Sequence, residues 1–246
     1  MRAQTPALAR HNSIMATLKE MLGMEPYEVP AQPAPLPHQP VPEQRLSAAG
    51  LRHYLSAPSP WEPEMVRERR WGQTGVVKPA AVLVPVVKRD ELTVLLTHRA
   101  SHLRAHAGQV AFPGGKIDES DRDAVWAALR EAHEEVGLDM ASAEIIGALP
   151  DYFTGTGYVV TPVVALIEPP AAWRPNPSEV GAIFEVPLKF LMNAAHHRTH
   201  EAQILGEPIH WWSMPYDDGH QTHYIWGATA AMLRNLYRLL SAPGEQ

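Results

Sequence analysis

The chain has 246 residues, 45% of them hydrophobic and 20% charged, which suits one generous globular domain or a domain with an extension. A formal net charge of -6 argues against a general nucleic-acid binder, whose footprint is basic, yet leaves room for a local basic pocket around a nucleotide-sized ligand. The absence of cysteine excludes disulfides, zinc–thiolate sites and thiol nucleophiles, and is compatible with a reducing cytoplasm.

In chain order, residues 12–24 carry Ile14, Leu18, Met21 and Leu22 at helical spacing. From Pro26 to Pro42 there are seven prolines in seventeen residues, a density that forbids a regular helix or a central strand and reads as an extended linker. Residues 1–44 are therefore expected to be an N-terminal extension, with the Pro-rich linker at 26–42, ahead of a domain over 45–246. Ser47 can cap a short helix through SAAGLRHYL. Ala80–Val87 and Leu92–Thr97 are β-branched runs around Lys88–Glu91 and predict a hairpin. These apolar runs are too short to cross a bilayer as a helix, and the first twenty residues lack the apolar core of a secretory signal. A cytoplasmic protein with no membrane partner is the expectation. Further strands are predicted near Ala143–Leu149, Tyr158–Ile167, Gly181–Val186, Ile209–Met214 and Thr222–Ile225, and a last helix runs from Trp226 to Leu240. Many strands around one strongly patterned helix, with another at the end, predict an α+β fold.

That patterned helix concentrates the chemistry. Asp121 is placed to cap it and Gly137 to end it in the left-handed conformation. Val125, Leu129, Ala132 and Val136 form a narrow apolar stripe, with Glu131, Glu134 and Glu135 on another flank. Like charges one turn apart destabilise a helix by roughly 0.2–0.5 kcal/mol per pair, a penalty that a divalent cation reverses. An all-carboxylate cluster suits hard cations, Mg²⁺ or Mn²⁺, and the backbone at Gly114 or Gly115 could approach the same ion. The competing account is a solvated acidic face with Arg130 as local partner.

The run GGKIDESDRDAVWAALREAHEEVGL resembles the Nudix box, with Arg130, Glu131, Glu134, Glu135 and Gly137 on its Arg-Glu-x-x-Glu-Glu-x-Gly core. Arg130 arrives one residue later after Gly115 than the common box allows, so Asp121 stands where the early acid would fall if the loop carries an insertion. The preceding LLTHRASHLRAHAGQVAFPGG resembles the signature of the coenzyme A pyrophosphatase branch of Nudix hydrolases, which also carries the longer loop. The likeness extends through TGYVVTPVVALI, Ser178-Glu179-Val180 and YIWGATAAMLRNL, covering roughly residues 45–240.

The resemblance implies a Nudix fold, a mixed β-sheet sandwiched between helices, and a metal-dependent hydrolase that cuts coenzyme A into 4'-phosphopantetheine and 3',5'-adenosine bisphosphate. It implies Glu131 and Glu135 as principal ligands, Glu134 as a further ligand or the base, and Arg130 as a holder of the glutamates. Gly115 is the backbone ligand candidate, and Glu179 stands as an alternative base or an ordinary loop acid. Arg99, Arg104 and His106 could grip phosphate, with Arg104 favoured over Arg99; Gln109 could bind substrate or hold its loop. His98, His102 and His106 recur every four residues, but the Gly and Arg content speaks for a loop rather than a zinc-binding helix. His196–His200 reads as a solvated or phosphate-facing loop, and Trp211, Trp212, Tyr224 and Trp226 as core packing or an adenine platform. A homodimer is permitted without being fixed. Two other readings stay open: a Nudix hydrolase for ADP-ribose or a dinucleotide, and a non-catalytic nucleotide sensor on the same fold.

Overall fold

The computed structural model describes residues 22–34, 40–65, 67–68, 77–103, 106–204 and 206–243. The expected helix over 12–24 lies almost wholly outside them, as does Arg104.

The first element after the N-terminal segment is strand β1 (Ala31–Pro33), followed by helix α1 (Ala48–Ser56), whose N-terminus is capped by Ser47 accepting from the Gly50 N–H at 3.0 Å. Strands β2 (Lys78–Lys88) and β3 (Leu92–Arg99) form the expected antiparallel hairpin. Short strands β4 (Val110–Ala111) and β5 (Gly114–Lys116) pair with β3 and β2, and helix α2 (Ala124–Val136) follows. Then come β6 (Ala143–Ala148), β7 (Tyr152–Phe153), β8 (Tyr158–Ile167), β9 (Val180–Pro187) and the single turn α3 (Leu188–Leu191). The chain closes with β10 (Arg198–Ile204), β11 (Glu207–Asp217), β12 (Thr222–Trp226) and α4 (Gly227–Ser241).

Eight of these strands make one mixed sheet, built on the parallel pair β2–β8, with Leu83 opposite Val163 and Val84 opposite Val164. Side chains alternate across a strand, so this register sorts them into two layers. Ala81, Leu83, Val87, Val163, Ala165 and Ile167 face α2, while Val84, Val86, Val164 and Leu166 join the core beneath α1 and α4. A sheet buried on both faces reads as continuous apolar sequence rather than strict alternation. The structure is thus the expected α+β sandwich of a mixed sheet between helices.

The other four strands, ordered β1-β10-β11-β12, form a second sheet whose β12 lies against β4. Its presence corrects two expectations. Ala31–Pro33, inside the supposed spacer, is an edge strand on β10, where proline's missing N–H costs no ladder bond between strands. The His196–His200 run is not a solvated loop: His197 and His200 are buried, the first against Arg234 (2.8 Å) and the Leu191 carbonyl (2.7 Å), the second against Ser213 (2.8 Å) and the Val29 carbonyl (3.0 Å). Trp211 and Trp212 are buried as well, which is core packing, with the Trp211 ring stacked on His200. Among the described residues no helix is long and apolar enough to cross a membrane.

Candidate active site

Helix α2 sits closer to the sheet than its leucine and valine stripe predicts. Ala127, Ala128 and Ala132 have no exposed surface, whereas Val125 and Leu129 are only partly buried. Small side chains let the helix approach, and that turns Glu131 and Glu135 inward rather than onto a separate flank; Glu135 is 3% exposed. The cap also differs. Asp123, not Asp121, accepts from the Trp126 N–H at 2.7 Å, and Gly137 ends the helix at φ 70° as expected.

Released from capping, Asp121 turns its carboxylate to Arg130. The guanidinium grips it through two bonds of 2.8 and 2.9 Å, donates to Glu131 at 2.9 Å and to Glu134 at 3.2 Å, and reaches the Lys116 carbonyl at 3.2 Å. Such a fork fixes position as well as charge. Arg130 therefore orients the carboxylates and raises its own pKa by their company, while Asp121 is held below its ordinary value, chiefly by those Arg130 bonds.

A third carboxylate arrives from outside the helix. The segment after β8 docks on the C-terminus of α2, where the Arg174 N–H donates to the Val136 carbonyl (3.0 Å) and the Asn176 N–H to the Glu135 carbonyl (2.9 Å). The next turn delivers Glu179, whose own carbonyl accepts from the Ala100 N–H at 2.8 Å, just past β3. Glu131, Glu135 and Glu179 consequently bring carboxylate oxygens within 4.8 Å of one another. Glu134 stays outside this group, half-exposed beside Arg130.

Backbone completes the cradle. At Gly115 a side chain would stand 2.6 Å from the Glu131 carboxylate, and at Gly114 it would run into the Ala81 carbonyl at 2.5 Å. Only glycine allows both strand pairing with β2 and contact with the carboxylates. The Gly114 N–H donates to Glu135 at 3.2 Å. Burial pushes Glu135 up to about 7, with Glu131 and Glu179 adding to the rise and the Gly114 bond and the Arg99 charge opposing it. Glu131 is raised too, first by burial, against the pull of Arg130. Three carboxylates pressed together without matching positive charge are costly, and a hard divalent cation is the group that their oxygen donors fit. Mg²⁺ or Mn²⁺ would be held by Glu131, Glu135 and Glu179 beside Gly115.

Arg99 closes the cation side. It ends β3 at a bulge, near enough to oppose the rise at Glu135, and its Nε is buried with no hydrogen-bond partner among the described residues. A buried donor left unmade costs on the order of 1–3 kcal/mol, so it marks where an acceptor belongs. The rest of the expected grip is only partly assembled. His106 and Gln109 bond to each other at 2.8 Å, and His102 reaches the Ser178 carbonyl at 3.1 Å.

The matching family model is that of the NUDIX domain, over residues 77–205. A relative named "Uncharacterized Nudix hydrolase NudL" from Salmonella newport is 42% identical over 186 residues, 76% of this chain and 92% of the relative. The protein of the same name from Salmonella typhimurium matches over the same shares at the same identity. The chain belongs to the Nudix family. A solved structure similar to it, a Nudix hydrolase from M. Smegmatis, RenU, has 25% identity and a TM-score of 0.41, over 52% of this chain and 81% of that one.

As a Nudix hydrolase the chain acts on pyrophosphate bonds of nucleoside diphosphate derivatives. One buried carboxylate had no signal in the sequence. Glu68, in an irregular segment ahead of β2, accepts from the Tyr152 hydroxyl (3.0 Å) and the Gly155 N–H (2.7 Å) and lies near His106. Burial raises it above an ordinary carboxylate. It anchors the Thr154–Gly157 loop, and only the tertiary structure brings it there.

Proposed function

We propose that this Nudix hydrolase cleaves the pyrophosphate of coenzyme A or its derivatives to 4'-phosphopantetheine and 3',5'-adenosine bisphosphate. The observation that carries the reading is Arg99. It belongs to the LLTHRASHLRAHAGQVAFPGG run, and its unbonded, buried Nε stands beside the carboxylate cluster. One residue of the run that resembles the coenzyme A branch, Arg99, thus stands beside the carboxylates of the general box, which supports the reading.

Glu131, Glu135 and Glu179, with the Gly115 backbone, would hold the divalent cation, and Arg130 with Asp121 keeps Glu131 in place. When bound, such a cation neutralises pyrophosphate charge and makes phosphorus more electrophilic. Arg99, the cation beside Glu135, would counter phosphoryl charge. Glu179 comes from a loop separate from the helix and is suited to accept the proton of the attacking water. Glu134, tied to Arg130 at the rim, serves as an alternative proton acceptor. Water adds to one phosphorus, the bridging P–O bond breaks, and the leaving phosphate departs with that oxygen.

The test is product analysis in ¹⁸O-water with Mg²⁺ or Mn²⁺, comparing coenzyme A with ADP-ribose. Faster turnover of coenzyme A, with label in one product phosphate, supports the reading. A clear preference for ADP-ribose sinks it.

A further inference from the structure

His98 is the neighbour of Arg99 in β3 but faces the other way, toward the second sheet. Its Nδ1 lies 3.3 Å from the Gly108 carbonyl and its Nε2 2.9 Å from His223 Nδ1. His223, in β12 and 1% exposed, places its Nε2 2.9 Å from Asp218 Oδ2. The other oxygen of Asp218 accepts from the His220 and Gln221 N–H groups, both at 2.8 Å, so this carboxylate is locked in the β11–β12 turn. The row runs carbonyl, imidazole, imidazole, carboxylate.

Counting protons along it is decisive. The Gly108 carbonyl and the Asp218 carboxylate can only accept, so His98 Nδ1 and His223 Nε2 must each carry a proton. The contact between the rings needs one more. Three protons on two imidazoles is one more than two neutral rings hold, so the complete row carries a positive charge matched by Asp218. His223 stacks on Phe184 with ring centres 3.7 Å apart, a face that favours a cation. Remove the extra proton and one contact must fail. Of the three, the Gly108 contact is the longest, 3.3 Å against 2.9 Å for both the ring–ring contact and the bond to Asp218, so the Gly108 end lets go.

That end belongs to the loop between β3 and β4. The Arg99 carbonyl accepts from the Gly108 N–H and the Arg99 N–H donates to the Gln109 carbonyl, both at 3.0 Å, so Gly108 moves with Arg99 and Gln109.

We propose that Asp218, His223 and His98 form a proton-loaded brace that positions the Gly108–Gln109 turn, so that substrate is held more tightly when the histidine pair carries its proton. The three are positioning residues, and the proposal rests on the reading of this loop as substrate-binding. Facing the pair are Asp218, in the β11–β12 turn, and Tyr216, whose ring centre lies 6.2 Å from that of His223 and whose pKa is raised by burial and then by Asp218, Glu91 and Asp217. Burial lowers His98, and the bond from His223 holds Asp218 far below the usual carboxylate range.

The experiment measures KM and kcat for coenzyme A with Mg²⁺ from about pH 5 to 8. In the wild type KM should rise roughly two- to tenfold with pH, the worth of one hydrogen bond, while kcat shows no matching step. Asp218→Asn offers an amide N–H to His223 Nε2, which lets two neutral rings complete every contact; its KM should stay low and lose the pH step. His223→Phe removes the competing contact, so a neutral His98 keeps its Nδ1–H on the Gly108 carbonyl and KM should likewise lose the pH step. A wild-type KM step that persists unchanged in Asp218→Asn overturns the brace. Imidazole ¹⁵N spectra of the wild type test it without turnover. The pair should gain one proton as the Gly108 and Gln109 amides shift with the same midpoint; two neutral rings at the acid end overturn it. If coenzyme A is not cleaved but the spectra titrate together, the substrate reading fails and the brace stands.

Discussion

Two regions bury titratable groups at similar depth and differ in whether the charges balance. Beneath α4, Arg234 donates to Glu64 at 2.7 Å and to His197 at 2.8 Å, and its guanidinium lies 4.2 Å from the Trp212 ring centre. Every charge there has its partner inside the protein, and burial keeps His197 neutral, down at about 3. Beside α2, three carboxylates crowd together while a buried Arg99 nitrogen goes unbonded among the described residues. The first region is complete as it stands. The second is complete only with a cation and a phosphate, which is why chemistry is expected there and not around Arg234.

The contrast can be broken most sharply at Glu135. Glu135→Gln should lower metal-dependent turnover about 10³-fold while the protein stays folded, measured by initial rates alongside circular dichroism. Turnover unchanged from the wild type would end its assignment as a ligand.

Arg234→Leu should do the reverse. It leaves Glu64 and His197 without their partner and is expected to cost about 3 kcal/mol in urea denaturation, with turnover per folded molecule kept. A selective loss of turnover at full stability would place function in this region after all.

Metal removal separates the two regions by pH. Glu135 is raised in the folded state, so the native protein binds more protons than the unfolded chain between the ordinary glutamate value and about 7. In EDTA its contribution to stability is present on the acid side and lost as pH rises through about 7, by about 3 kcal/mol, and Glu135→Gln should abolish that slope. Saturating Mg²⁺ should flatten it in the wild type, because a cation on the cluster favours the ionised form.

The smallest effect is expected at Arg130. Arg130→Lys keeps the charge but cannot grip Asp121 with two parallel bonds, so turnover should fall about tenfold with stability little changed.

Much of the catalytic half was legible because it is local. The spacing of Glu131, Glu134 and Glu135, the two glycines ahead of them and Gly137 behind all act within one helix and its flanking turns, where periodicity and backbone conformation are sequence properties. The β2–β3 hairpin and the final helix were legible for the same reason. The cap at Asp123 was missed because Asp121 and Asp123 are both acceptable caps, and the choice between them came from Arg130, a turn and more away. Strands β1 and β10 were missed because prolines and histidines are poor strand signals, and what makes them strands is each other and β11.

By itself, then, the sequence determined the reaction class through its likeness to the Nudix box: a run of carboxylates that repel unless a cation joins them, behind a glycine turn whose backbone can approach the same ion. Tertiary structure alone decided which carboxylates meet, because Glu179 reaches Glu131 and Glu135 only through a loop docked on the carbonyls at the end of α2. It also decided which histidines matter. His98 and His223 are 125 positions apart, and their row to Asp218 exists only where the second sheet packs against the first. Helical spacing is written in neighbouring residues; a shared proton between distant strands is not.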